Sequence, residues 1–221
     1  MKLTLFDLDH TLLAGDSDVL WCDFLMREGV LDRARFEPLN AAMERDYRAG
    51  TVSVQAFCEF YVGTLAGRSA VQWRPLCQRF LDEEIAPRLS AAARELVHQH
   101  QLVRDLVVLT TATNRVITEL TAAHLGIEHL IATECEAAPD GLLTGRITGT
   151  PNMRAGKLAR LQAWLALRGS LLHDFDSTFY SDSINDLPLL ASVKRPVAVD
   201  ADERLAAEAA RRGWLAISLR G

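Results

Sequence analysis

The feature that most restricts the fold of this chain is a set of short runs that are apolar throughout, not at every second residue, separated by segments of helical character. Leu3–Leu8, Asp105–Thr111 (DLVVLTT), Leu130–Thr133, Thr178–Asp182 and Pro196–Val199 read as strands, with Ala216–Leu219 as an edge. A strand that is apolar on both faces must be covered on both faces, and helical crossovers between parallel strands do this. Helices are predicted in the intervals. Ser90 caps Ala91–His100, Asn114 caps Arg115–Leu125 ahead of Gly126, Arg154–Arg168 stops at Gly169, and Asp202–Arg212 stops at Gly213. The expected fold is α/β, a doubly wound parallel sheet.

One stretch breaks the rhythm. From Gly15 to Arg88 no strand is legible; the pattern is helical over Ser17–Glu28, Pro38–Arg48, Ser53–Leu65 and a segment near Val71–Glu84 that contains Pro75. Phe36, Leu39, Met43 and Tyr47 recur near helical spacing, as do Val54, Phe57, Tyr61 and Leu65. The first crossover is thus expected to be a helical cap, residues 15–88, inserted in a core made of residues 1–14 and 89–221. Ligands of open α/β sheets lie beyond the carboxyl ends of the strands, so this cap would overhang them as a lid. Trp21, Trp73, Phe57 and Tyr61 are expected to form its core. A smaller insertion, around residues 134–151, contains "PDGLLTGRITG", and Leu143 and Ile147 between glycines suggest a β-ribbon: a second flap, or a plain loop.

Composition narrows the function classes. The chain is 49% hydrophobic and 24% charged over 221 residues, which suits a globular protein with a sizeable core. A net charge of -5 with no Lys/Arg run argues against general binding to nucleic acid or membrane surfaces. Cys22, Cys58, Cys77 and Cys135 are scattered without a CxxC, as reduced thiols are. With neither a signal-peptide pattern nor an apolar run of membrane-spanning length, a cytoplasmic location is expected.

The chemistry concentrates at strand ends. Strand one ends at Asp7 and Asp9, strand two at Thr110 and Thr111, and strand four runs into "YSDSINDLPLL", with Asp182 and Asp186. Lys157 falls in the first turn of the helix in "NMRAGKLARL", with Arg154 as the rival cation. A parallel sheet gathers all of these at one edge. Carboxylates so gathered repel one another unless a divalent cation sits among them, and Mg²⁺ suits oxygen donors. Each residue alone has a plainer reading: a polar turn for Asp7 and Asp9, a β-branched strand residue for Thr111, a solvated lysine for Lys157, a helix-start carboxylate for Asp186. Asp16 and Ser17 both stand where a helix needs its N-cap, and Ser17 is expected to provide it.

Together, "DLDHT", "LTTAT", Lys157 and "SDSINDL" resemble the four motifs of the haloacid dehalogenase superfamily of phosphohydrolases, in order and across essentially the whole chain. The helical insertion after strand one resembles the branch containing phosphoserine phosphatase. The resemblance implies Asp7 as nucleophile, Asp9 as general acid and base, and Thr11 as the group holding Asp9. It implies that Thr111, the N–H of Ala112 and Lys157 bind the phosphoryl group. Mg²⁺ would be ligated by Asp7, the backbone carbonyl of Asp9 and Asp182, with Asp186 orienting the ligands. Asp16 or Asp18 would contact a substrate amine, and Arg45 or Arg48 a substrate carboxylate. His10 is given no role; His98, His100 and His124 are read as surface or packing residues. The implied function is Mg²⁺-dependent hydrolysis of a small phosphorylated metabolite through an aspartyl-phosphate, histidinol phosphate ahead of phosphoserine. A phosphotransferase or mutase, and a non-enzymatic module that binds phospho-ligands, are the alternatives.

Overall fold

The structure of the chain, a computed structural model, describes residues 1–220, and Arg48 by its backbone alone. Among the described residues seven strands form one sheet: β1 Lys2–Phe6, β2 Leu106–Asn114, β3 His129–Ala137, β4 Leu143–Thr148, β5 Asp176–Ser181, β6 Arg195–Val199 and β7 Leu215–Ile217. Their order is β4-β3-β2-β1-β5-β6-β7, with every pair parallel except β3–β4. Strand β1 pairs with β2 on one side and β5 on the other, so the winding reverses direction beside it. That reversal leaves a crevice beyond the carboxyl end of β1.

The sheet is buried on both faces, as continuous apolar runs require. Alternate residues of β1 serve opposite cores: Leu3 and Leu5 pack with Leu161 and Leu165 of α7 (Ala155–Ala166) and with Leu205 of the later helix Glu203–Arg212. Phe6 packs on the other face with Val97 of α5 (Ala91–Leu102) and Ile117 of α6 (Arg115–His124). On that face His100 is a packing residue, as expected, but a fixed one. Its Nδ1 lies 2.7 Å from Asp105 Oδ2 and its Nε2 3.0 Å from the Tyr180 hydroxyl.

Between β1 and β2 run α1 (Ser17–Arg27), α2 (Arg33–Ala49), α3 (Val54–Gly63) and α4 (Ala70–Phe80), followed by a wider helical turn over Leu81–Ile85. Helix α2 starts a turn earlier than its sequence suggests, because Asp32 accepts from Ala34 N and Pro38 is accommodated inside the helix. Trp21 meets Trp73 and Phe80 edge-on, at ring-centroid distances of 5.8 and 5.1 Å. Both buried indoles are satisfied: Trp21 Nε1 donates to Thr64 Oγ1 and Trp73 Nε1 to the Leu65 carbonyl. This aromatic group is continuous with the core over Phe6 and Leu109, so the inserted helices share apolar packing with the sheet.

The predicted ribbon is formed by the outer part of β3 and by β4, and it is tied to the helical insertion. Gly67 N donates to the Leu143 carbonyl and Leu143 N to the Arg68 carbonyl. Gly145, at φ +81°, sits where a Cβ would lie 3.1 Å from Ala66 Cβ and 3.3 Å from Gly63 Cα. Among the described residues no helix is long and apolar enough to cross a membrane, and all four cysteines are free.

If the aromatic cluster is part of one cooperative core, Phe80→Ala costs about 3–5 kcal/mol of global stability, read from denaturant unfolding. A loss below about 1 kcal/mol would show that the insertion melts separately.

Candidate active site

The end of β1 carries the first carboxylate. Asp7 N continues the sheet ladder to the Tyr180 carbonyl, which fixes Asp7 where the strand stops. The chain then turns sharply: Thr11 N and Leu13 N both donate to the Leu8 carbonyl, and His10 takes φ 56°. The turn sends the two acidic side chains of the first motif to different partners.

Asp7 faces inward. Its Oδ1 lies 2.7 Å from Lys157 Nζ, and the same ammonium lies 2.7 Å from Asp186 Oδ2, which also accepts from Ser181 Oγ at 2.8 Å. Lys157 arrives from the first turn of α7. Its approach depends on Gly156, where a Cβ would stand 2.1 Å from the Pro151 carbonyl oxygen. The preceding residues are anchored by Asn152, fully buried, whose Nδ2 reaches Thr110 Oγ1 and the carbonyls of Thr111 and Ile131. Asp182 completes this side, tied to Thr11, whose hydroxyl donates toward Asp182 Oδ1 at 3.0 Å and accepts from Asp182 N.

Asp9 faces the inserted helices. Ser17 N donates to its Oδ1 at 2.7 Å, and the hydroxyls of Thr111 and Thr113 donate to its Oδ2 at 3.1 and 2.9 Å. Two implied roles therefore change. Thr11 holds Asp182 and, more distantly, Asp7 at 3.4 Å, because the turn at His10 carries it under the ends of β1 and β5 and away from Asp9. The hydroxyls of Thr111 and Thr113 both bond to Asp9, and at the end of β2 it is Ala112 and Thr113, not Thr111, that line the cavity. An irregularity in β2–β3 pairing between Thr110 and Asn114 accompanies this placement of Ala112 and Thr113 on the cavity wall.

The N-cap of α1 is Asp16, not Ser17: Asp16 Oδ1 accepts from Asp18 N and Val19 N. Ser17 Oγ turns instead to Thr113 Oγ1, 3.0 Å away. Asp16 is nevertheless on the cavity wall with Asp18, so it both caps the helix and faces the site. Arg45 is directed to solvent beside Asp46, and the Arg48 side chain lies outside the described residues. Sequence reasoning missed Thr113, Ser181, Asn152 and Tyr47. Thr113 was accessible in principle, since it stands two residues after Thr111 on one face of a strand.

The cavity is narrow, about 50 Å³, and adjoins a wider cleft of about 400 Å³ whose wall also carries His10, Asp16 and Tyr47. Among the described residues its wall holds the carboxylates of Asp7, Asp9, Asp16, Asp18, Asp182 and Asp186 against the cations Lys157 and Arg154. The imbalance shows in the proton affinities. Burial pushes Asp7 up to about 7, with Lys157 opposing and Asp186 and Asp9 reinforcing. Burial and then Asp9 push Asp16 up to about 7. Asp18 and Asp182 are also raised well above the carboxylate range, chiefly by burial and then by their neighbouring carboxylates. Burial favours neutral Lys157, but Asp186 and Asp7 outweigh it and hold the proton. Among the described residues one oxygen of Asp18 is buried without a hydrogen-bond partner.

A cation would relieve this crowding. Among the described residues no three His, Cys, Asp or Glu side chains form a ready metal cage. What the site offers is Asp7 and Asp182, joined by the Thr11 hydroxyl: hard donors, few in number, matching an ion that keeps much of its water.

The model of the haloacid dehalogenase-like hydrolase family matches residues 4–191, and the chain belongs to that family. Within it the chain is an enzyme of the phosphatase class. It is 40% identical over 214 residues to a histidinol-phosphatase of Neisseria meningitidis serogroup C, covering 96% of each. It is 33% identical over 219 residues to a phosphoserine phosphatase of Mycobacterium tuberculosis, covering 95% of this chain and 68% of that one. A Bordetella pertussis protein of unknown function has the same structure at TM-score 0.93 and 44% identity, covering 99% of this chain and 98% of that one. A substrate-bound phosphoserine phosphatase shares the fold at TM-score 0.68 and 18% identity, covering 98% of this chain and 92% of that one.

The raised carboxylates set a pH dependence. In the metal-free protein Asp7 and Asp16 bind protons more tightly folded than unfolded, so stability falls as pH rises from about 4 toward 7. Thermal unfolding in chelator is therefore expected to show this site lowering Tm between pH 5 and 7.5, and Asp18→Asn should flatten the slope. An unchanged slope in that variant would mean that the carboxylates do not repel as described.

Proposed function

We propose that the chain hydrolyses the phosphomonoester of a small alcohol that carries a basic nitrogen, histidinol phosphate ahead of phosphoserine. One observation carries the reading. The cavity joins a carboxylate paired with a buried lysine, Asp7 with Lys157, to a second carboxylate group, Asp16 and Asp18, in which one Asp18 oxygen has no partner among the described residues. The first end suits attack on an anion; the second suits a cation. Likeness to a histidinol-phosphatase over the whole chain supports the order of substrates.

In this mechanism an Asp7 oxygen attacks phosphorus and the bond to the ester oxygen breaks. Asp9, held by Ser17 N, Thr111 and Thr113, gives its proton to the departing alcohol. Water then attacks the aspartyl-phosphate, Asp9 takes a proton from it, and Asp7 leaves as carboxylate while inorganic phosphate forms. Lys157 stays between Asp7 and Asp186, limiting the repulsion between two anions. Asp7, Asp182 and the Asp9 carbonyl would hold Mg²⁺, which supplies charge neutralisation at the phosphoryl oxygens when bound. The Ala112 N–H is the second phosphoryl contact, and Asp186 fixes Lys157. Tyr47 and Phe57 of the helical cap, 4.6 Å apart between ring centroids, close the wall over the leaving group.

A phosphate-release panel of histidinol phosphate, phosphoserine, phosphoethanolamine and sugar phosphates tests the reading. Turnover should need Mg²⁺, stop with chelator, and favour the amine-bearing esters. Preference for sugar phosphates would contradict the cation end of the site. Asp7→Asn should lower kcat by at least about 10³-fold while thermal unfolding remains cooperative.

Gly156→Ala should damage both properties. Forcing a Cβ against the Pro151 carbonyl displaces the start of α7, at a cost of about 1–3 kcal/mol, and carries Lys157 from Asp7. Parental kcat in a folded Gly156→Ala protein would show that the lysine does not need this turn.

A further inference from the structure

We propose that Arg154 is a second phosphate-binding cation, whose guanidinium grips the phosphoryl group of the substrate. The proposal rests on the phosphomonoesterase reading and adds a residue to it.

Arg154 occupies a backbone conformation that arginine rarely adopts. At φ 53°, ψ -128° it has the dihedrals of the first central residue of a type II′ turn, a position dominated by glycine. An L-residue there meets its own carbonyl, and the strain persists only if the surroundings fix it. They do. On one side Asn152 is bonded into the ends of β2 and β3. On the other, Gly156 packs its α-carbon against the Pro151 carbonyl, and Gly156 N donates to the Met153 carbonyl. Glycine would satisfy the backbone of residue 154 better, so the arginine is accounted for by its side chain.

That side chain lines the cavity and is uncommitted. Among the described residues the guanidinium makes no hydrogen bond or ion pair, and its Nε is buried without a partner. A buried donor left unmade is costly unless a ligand completes it. Lys157, the other cation of the wall, already serves Asp7 and Asp186 and is 4% exposed. A phosphoryl group entering the site brings further negative charge to a wall rich in carboxylates, and Arg154 is positioned to receive it. Guanidinium suits the task, since its planar fork can bind two phosphoryl oxygens at once.

Inorganic phosphate is the probe, measured by calorimetry on the full chain in Mg²⁺ buffer, with Arg154→Gln, Arg154→Lys and Arg154→Gly. The expected result is at least a tenfold loss of phosphate affinity in the Gln and Gly variants and a smaller loss in the Lys variant. KM should rise alike for histidinol phosphate and phosphoserine. Arg154→Gly, which relieves the backbone, should unfold at or above the parental Tm while binding phosphate worse; a purely structural arginine would give a lower Tm and parental phosphate affinity. Phosphate affinity within twofold of the parent in folded Gln and Gly variants overturns the proposal. So does a KM effect confined to phosphoserine, which would put the guanidinium on the substrate carboxylate. If the parent releases phosphate from no ester, the function reading fails; parental phosphate binding that is lost in the variants would still assign Arg154.

Discussion

The buried contact of Lys157 with Asp7 and Asp186 is the interaction on which the site depends. Two carboxylates and one ammonium, each almost fully removed from water, leave net negative charge in a low-dielectric place. Such an arrangement is unfavourable as a device for stability. It becomes useful when it lowers the barrier for one anion to approach another. The rest of the local structure holds these groups in place: the ladder bond of Asp7 N to Tyr180, the Ser181 hydroxyl on Asp186, and the close approach at Gly156 that admits α7.

The sheet order explains how residues 150 positions apart in sequence reach 2.7 Å in space. With β2 and β5 on either side of β1, the carboxyl ends of three central strands converge where the winding reverses. The helical insertion is placed by the same strand end, since it departs directly from the turn after Asp9. Its aromatic residues join the core of the sheet, and its α3 end is bonded to the ribbon. The insertion therefore delivers Asp16, Asp18, Tyr47 and Phe57 to the cavity from a defined position.

Much of this was legible in the sequence, and what was not has a common cause. Continuous apolar runs predict a sheet covered on both faces, and Asp7, Lys157, Asp182 and Asp186 are found together because strand ends and helix starts are readable from local pattern. The partners of these groups were less legible. Thr11 lies two residues from Asp9 yet serves Asp182, because His10 takes a positive φ, which histidine adopts more readily than most residues but which no spacing in the sequence announces. Asp16, not Ser17, caps α1, because Ser17 is drawn to Thr113, 96 positions away in sequence. Arg154 was legible only as a competitor of Lys157. Its strained backbone, and a guanidinium without a partner among the described residues, are properties of the folded turn, and no spacing encodes them.

The most direct test of the account is to find which carboxylate takes the phosphoryl group. Turnover of the preferred phosphoester would be stopped by acid within the first catalytic cycle, the protein reduced with borohydride, and its peptides analysed by mass spectrometry. An acyl phosphate at residue 7 is converted to homoserine, so the account predicts homoserine in place of Asp7 and unmodified Asp9 and Asp182. An unmodified Asp7 alongside rapid phosphate release, or homoserine at another aspartate, would contradict it.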